Sequence, residues 1–260
     1  MLHAVKKGVP LIVLPMPLAG GTSPITLAGT PVMGNAEDLS ALVLSQAIRP
    51  GAAFIHGSIS TVMDMRTASV SLAAPEFALL LSAKAQVARF LGLPSYSGIG
   101  SVDSPRVDVQ AGLEAMMCYL TGVLSGLNLT VSARGTAVAR AYSYEMLLID
   151  HAVFETCDRF QRGLRIDEDK LALDVISEVG PGGHFLRHPH TLKYLGSGEH
   201  HYPSLYSRST DETLPAMLQR AHEEVQQILR EHRVGVPKAV REEARRYVEE
   251  REGELQGQGG

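Results

Sequence analysis

The chain has 260 residues, enough to bury a sizeable core and close to the upper limit for one domain. Its hydrophobic fraction of 45% and charged fraction of 20% are ordinary for a soluble globular protein. A net charge of −4 leaves no basic footprint for nucleic acid, and no stretch approaches the roughly 18 apolar residues of a membrane span.

Leu2–Gly8 reads as the last turn of a helix, with Lys6 and Lys7 at its end and Gly8 as its cap. A chain opening on a helix end is expected to lack an upstream part. Leu11–Leu14 is a short apolar run expected to form a buried strand. Pro10, Pro15 and Pro17 around it argue against a signal peptide. Gly20-Gly-Thr-Ser-Pro-Ile-Thr-Leu-Ala-Gly29 follows as a strand-to-helix loop rich in Gly and hydroxyls, ahead of a helix over Asn35–Ile48. Such loops lie at the C-terminal ends of the strands in α/β proteins, where ligands bind. The amides of Gly20–Ala28 could cradle an anion, although the loop lacks the Lys of a P-loop.

The same unit recurs. Ala52–Ser60 reads as a strand, Thr61–Ala74 as a loop, and Pro75–Leu91 as a helix with Pro75 in its first turn and Gly92 after it. Phe77, Leu80, Leu81, Ala85 and Ala88 mark that helix's buried stripe. A third unit has strand Ser95–Ile99, polar loop Gly100–Arg106 and helix Val107–Leu124. The fourth has strand Leu127–Val131, loop Ser132–Ser143 and helix Tyr144–Arg162. Strand starts near 11, 52, 94 and 127 give a pitch of roughly 33 to 42 residues. This alternation predicts a parallel sheet with right-handed crossovers. A closed (β/α)₈ barrel would need about eight such units, so the chain is expected to form half a barrel or an open four-stranded sheet.

After Gly163 the pattern changes. Ile166–Val179 reads as one helix with an acidic start, broken by Gly180–Gly183. Phe185–Leu195 carries a turn with His188 and His190, close to His184. These histidines lack a Cys or paired carboxylate at zinc-ligand spacing, so a packed turn competes with a metal site. Asp211–Arg251 reads as two charged helices separated by Val234–Pro237, and Gly257–Gly260 as disordered. Residues 1–195 are thus expected to form an α/β domain of TIM-barrel type and residues 196–260 a helical tail. Cys118 and Cys157 fall in helical patterns and read as reduced core thiols of a cytoplasmic protein.

Four segments together resemble the trimethylamine:corrinoid methyltransferases and their non-pyrrolysine relatives that demethylate quaternary amines such as glycine betaine. They are Pro17–Thr30, Gly57-Ser-Ile-Ser-Thr-Val-Met-Asp-Met-Arg-Thr67, Asp108-Val-Gln-Ala-Gly112 and Gly180-Pro-Gly-Gly-His-Phe-Leu-Arg-His-Pro-His-Thr-Leu-Lys193. The resemblance implies a TIM barrel, of which this chain looks like the C-terminal half. It also implies methyl transfer from a methylated amine to the cobalt of a corrinoid (cobalamin) carried by a partner protein. A homo-oligomer is expected as well. Pyrrolysine-bearing members carry that residue in the loop matching Gly100–Arg106; its absence here points away from trimethylamine and toward a quaternary amine. Members are Gly-rich after the fourth strand, where this chain reads Ser132-Ala-Arg-Gly-Thr-Ala-Val-Ala-Arg-Ala-Tyr142.

Under that resemblance the enzyme must hold an ammonium cation in line with the cobalt and exclude water. Aromatic faces and carboxylates favour such a cation. His56, Tyr96 and Asp103 are the candidate catalytic residues. His56 would orient a substrate carboxylate or be a satisfied core histidine; Tyr96 would offer a cation face or pack; Asp103 would offset the ammonium charge or, with Ser104, cap the next helix. Gly21, Thr22 and Ser23 would line the barrel mouth. Asp64 and Arg66 form either a structural pair or a carboxylate clamp, and Tyr142 is a further aromatic. Two other readings stand beside this one: a half-barrel fragment that is inactive or works only with an N-terminal half or a second copy, and a different TIM-barrel lyase or transferase acting on a small carboxylate.

Overall fold

The computed structural model describes residues 1–130, 135–211, 213–232 and 235–257, with side chains to residue 249. Two compact units divide the chain, Met1–His222 and Glu223–Gly260. The first opens with helix α1 (Leu2–Lys6), strand β1 (Leu11–Val13), the two-residue strand β2 (Leu18–Ala19) and helix α2 (Gly29–Ile48). Strands β3 (Phe54–Ser58), β4 (Thr61–Asp64) and β5 (Ser69–Ser71) lead to helix α3 (Pro75–Phe90). Strand β6 (Ser95–Ser97), helix α4 (Val109–Leu124) and strands β7 (Leu129–Thr130), β8 (Gly135–Thr136) and β9 (Ala141–Tyr142) precede helix α5 (Tyr144–Gln161). Short helices α6 (Glu168–Leu171), α7 (Leu173–Val179) and α8 (Pro189–Tyr194) follow, and the unit ends in the first turns of α9 (Met217–Glu231). The second unit comprises the rest of α9 and α10 (Lys238–Gly257).

The principal sheet is parallel, in the order β1-β3-β6-β7, as the strand–helix alternation predicts. Among the described residues it is open, with β1 and β7 at its edges. The edge position explains a departure from expectation: Leu11 is buried, but Ile12 and Leu14 are about 40% exposed. β1 has one neighbour and fills its helix-facing side only. Gly57 lets β1 and β3 approach closely, since a Cβ there would lie 2.1 Å from the Val13 carbonyl oxygen.

Three apolar clusters fill the space around the sheet. Val5, Leu11 and Phe54 pack with Ala41 and Leu42 of α2. Phe77 and Leu81 of α3 meet Cys118 and Tyr119 of α4 and Cys157 of α5. Met146 and Ile149 of α5 meet Ala111 and Ala115 of α4, Val102, Leu205 and Ala221. Burying a side chain as large as Phe77 contributes about 1.5–3 kcal/mol. All five residues predicted for the α3 stripe are buried. Both cysteines are buried and unbridged, and burial pushes the Cys157 thiol up to about 11. The opening of α9 is not purely a charged surface helix, because Met217 and Ala221 join the third cluster.

Other departures have local causes. α2 starts at Gly29, several residues before the predicted start, because Pro31 is tolerated in a first turn. The expected loop 61–74 contains β4 and β5, which pair antiparallel, with β2 parallel to β4 on the other side. The single helix predicted over Ile166–Val179 is two, divided at Ala172 in the left-handed region (φ +50°). Gly180, at φ +64°, ends the second. Helices α6, α7 and α8 bury none of their residues. Of the readings above, those on Val131, Ser132, Ala133, Arg134, Val234 and Gln258–Gly260 lie outside the described residues.

Candidate functional site

A cavity of about 900 Å³ lies where the segments after β1, β3 and β6 converge. Its walls are Ile25 and Leu27 from the first segment, Met63, Asp64, Met65 and Arg66 from the β4–β5 hairpin, Glu76 at the start of α3, and Asp103. The hairpin exists because Val62 and Val70 suit strands and residues 64–67 turn the chain. Arg66 donates its backbone N–H to Asp64 Oδ1 at 2.9 Å and its Nε to the same oxygen at 3.4 Å. These bonds hold the Asp64 carboxyl below the usual carboxylate range. The Arg66 side chain is 90% exposed, so its remaining N–H groups face water.

Asp103 is fixed by the corner before α3. Its Oδ1 accepts from Leu72 N at 2.7 Å and its Oδ2 from the Ser71 hydroxyl, while Ser71 Oγ accepts from Ala74 N at 3.0 Å. Asp103 does not cap α4; Asp108, at the opening of that helix, does, its Oδ1 accepting from Ala111 N at 3.0 Å and from the Ser104 hydroxyl at 3.0 Å. The Ala111 bond lowers the Asp108 pKa, with Ser104 adding to it. Asp103 and Ser104 instead donate their N–H groups to Glu114 Oε2 at 2.7 and 3.1 Å.

The first four amides of the Gly20–Ala28 loop bond within residues 18–23. The N–H groups of Gly21, Thr22 and Ser23 all donate to the Leu18 carbonyl, at 2.8, 2.9 and 3.0 Å, and Gly20 N donates to Ser23 O. Thr22 Oγ1 accepts from Leu18 N, and Ser23 Oγ bonds Thr30 Oγ1. Residues 20–23 thus use their own N–H groups, and the loop presents Ile25 and Leu27 to the cavity.

His56 and Tyr96 lie on opposite faces of the sheet. His56 pairs in register with Ser95 while Tyr96 pairs with Gly57, and alternate residues of a strand point to opposite sides. His56 is fully buried toward the helices, its Nδ1 2.9 Å from Asp38 Oδ2 of α2 without the alignment of a hydrogen bond. The Lys84 ammonium of α3 bonds that same Asp38 oxygen. Burial lowers the Lys84 pKa, and Asp38 opposes that shift. Tyr96 is buried, and burial raises its phenol pKa. Tyr142 stands on β9, opposite Gly135, and is 72% exposed. The cavity therefore gathers Asp64, Arg66 and Asp103, and does not gather His56, Tyr96, Tyr142 or Gly21–Ser23.

Sequence reading missed Glu76, Met63 and Met65 as cavity residues, and Asp38 and Lys84 as partners of His56. The signal for the hairpin was the pair Val62 and Val70 around Asp64–Ala68; no local signal marks Asp38. Two further features flank the site. Ala137, Val138 and Ala139 are successive non-glycine residues at positive φ (+50°, +59°, +61°), and Val138 reaches the cavity. Gly135 makes that turn possible, since a Cβ there would lie 2.3 Å from Ala139 Cα. Beyond Gly183, His188 Nδ1 accepts from His190 N at 3.1 Å as the cap of α8, and no cluster of three or more metal-ligating side chains exists among the described residues. No helix among these residues is long and apolar enough to cross a membrane.

Comparison with known proteins points in one direction. The family model described as "Trimethylamine methyltransferase (MTTB)" matches residues 1–256. The chain is 42% identical over 229 residues to a glycine betaine methyltransferase of Desulfitobacterium hafniense (strain Y51), covering 86% of this chain and 48% of the relative. It is 34% identical over 239 residues to the trimethylamine methyltransferase MttB of Methanosarcina barkeri (strain Fusaro / DSM 804), with 90% and 48% covered. It is 32% identical over 260 residues to MttB of Desulfitobacterium hafniense (strain DSM 10664 / DCB-2), with 98% and 52% covered. The chain spans about half the length of the curated relatives it matches.

Proposed function

The chain belongs to the trimethylamine methyltransferase family, and from that premise we propose that it acts in moving a methyl group from a quaternary amine to the cobalt of a corrinoid protein. The observation that carries this reading is the cavity, which combines thioether and aliphatic walls with carboxylates and one exposed guanidinium. A quaternary ammonium has no N–H to donate, so apolar contact and the field of nearby carboxylates must hold it. A substrate carboxylate, as in a betaine, would pair with the free N–H groups of Arg66.

The chemistry asks for no acid. When the methyl group leaves a quaternary nitrogen, the C–N bonding pair stays on nitrogen and the product departs as a neutral tertiary amine. A tertiary amine, mostly protonated near neutral pH, would lose a methyl group in the same way and depart as a neutral secondary amine. The partner's reduced corrinoid supplies the nucleophilic cobalt and is a second substrate. This chain's own residues bind and orient: Asp64 fixes Arg66, and Asp103 fixes the corner that carries Glu76.

In the same reading the four-stranded sheet is part of a (β/α)₈ barrel, and the face bearing Gly57 and Tyr96 is its interior. Residues 1–195 belong to that barrel and residues 196–260 to a helical tail. Gly21–Ser23 shape the mouth, Tyr142 stands at the rim, and His56 acts as a framework residue. The reading also implies a cytoplasmic homo-oligomer.

The test is a methyl-transfer assay with the full chain, cob(I)alamin, and glycine betaine or trimethylamine. Loss of the cob(I)alamin absorbance, matched by dimethylglycine in the betaine reaction, is expected. Demethylation of neither amine, under conditions where a full-length relative turns over, overturns the reading.

A further inference from the structure

We propose that Glu76 determines the preference of the cavity for a positively charged ligand; the inference rests on the amine reading above. Three carboxylates line the cavity, Asp64, Glu76 and Asp103. Two of them are already engaged. Asp64 accepts from the backbone and side chain of Arg66. Both oxygens of Asp103 are taken, by Leu72 N–H and the Ser71 hydroxyl. Glu76 has no hydrogen-bond or ion-pair partner among the described residues. It is half-buried, and it stands in the first turn of a 16-residue helix.

An unpaired carboxylate beside apolar walls is what a fully methylated nitrogen needs. Such a cation offers no hydrogen-bond donor, so a carboxylate already committed to N–H or O–H groups attracts it less. Glu76 keeps its charge for the ligand. Arg66, across the hairpin, sets the opposite end of a zwitterion. The bland alternative is that Glu76 only stabilises the start of α3, where a helix N-terminus favours negative charge.

The experiment compares glycine betaine with 3,3-dimethylbutyrate, its isostere with a tert-butyl carbon in place of the ammonium nitrogen. Binding of both to the full chain is measured by calorimetry for the native protein, Glu76→Gln and Glu76→Asp, with melting temperatures alongside. The native protein is expected to prefer betaine by about tenfold, the scale of one carboxylate–cation contact in a partly wet site. Glu76→Gln should bring the two affinities within about twofold, and Glu76→Asp, which keeps the charge, should retain most of the preference. If Glu76→Gln lowers the melting temperature and leaves the preference intact, Glu76 is a helix-start residue only and the inference falls, while the amine reading stands. If the native protein binds neither compound, the amine reading fails and the inference fails with it.

Discussion

The polar side chains of β3 and of the hairpin that follows it behave in opposite ways. His56 of β3 faces the helices and meets Asp38 and Lys84 in a site closed to water. Asp64 and Arg66, on the hairpin that follows β3, line an open cavity with Arg66 largely solvated. In the closed site each charge must be matched by a fixed partner, because desolvation costs several kcal/mol per ion. That cost ties α2, β3 and α3 into one geometry. In the open site Asp64 is engaged by Arg66, while the exposed guanidinium stays hydrated and its remaining N–H groups are available to a ligand. Charge alone does not mark function; charge left without a protein partner at a cavity does.

Breaking the closed cluster should have the largest effect. Asp38→Ala leaves a buried ammonium without its counter-charge and is expected to destabilise the fold by about 3–5 kcal/mol in chemical denaturation. A loss below about 1 kcal/mol would mean that water reaches the cluster and that the contrast is false. Asp103→Ala comes next, since it strands Leu72 N–H and Ser71 Oγ. A cost of about 1–3 kcal/mol is expected, with weakened betaine binding because the corner before α3 moves.

A smaller change should act in the opposite direction. Ala139 is exposed and left-handed, a conformation costing an L-residue roughly 1–2 kcal/mol that glycine adopts freely. Ala139→Gly is therefore expected to raise stability by about 0.5–1 kcal/mol, allowing for glycine's greater unfolded entropy. An unchanged midpoint would show that the turn carries no strain.

The mildest effect is pH dependence from the exposed helix cap. Hydrogen bonds from Ala111 N–H and Ser104 hold the Asp108 carboxyl below its ordinary value in the folded chain. Its contribution to stability is thus complete above the unfolded value and lost as pH falls through the lower folded one. Asp108→Asn should flatten that part of the acid unfolding profile, and an unchanged acid limb would remove Asp108 from the account.

Much of the frame was legible in the residues. The α3 stripe, the end of α5 near Arg162, the parallel order of the main strands and the break at Gly180 all follow from periodicity, helix caps and backbone restrictions that act within a few residues. The hairpin β4–β5 was not, because its strands are four and three residues long and a polar loop reads the same way.

Local spacing along the chain was enough to set where strands and helices alternate, which helix faces are apolar and which family's segments recur. Only the folded arrangement settled which polar groups are spent and which are free. The Gly21–Ser23 amides close on Leu18, Asp103 is captured by the corner before α3, and His56 turns toward a carboxylate on α2. Glu76 keeps no partner among the described residues. The physical reason is that hydrogen bonds and ion pairs saturate: whether a donor or a charge remains for a ligand depends on what the fold brings beside it, as with Asp38 and Lys84, 46 residues apart in the chain.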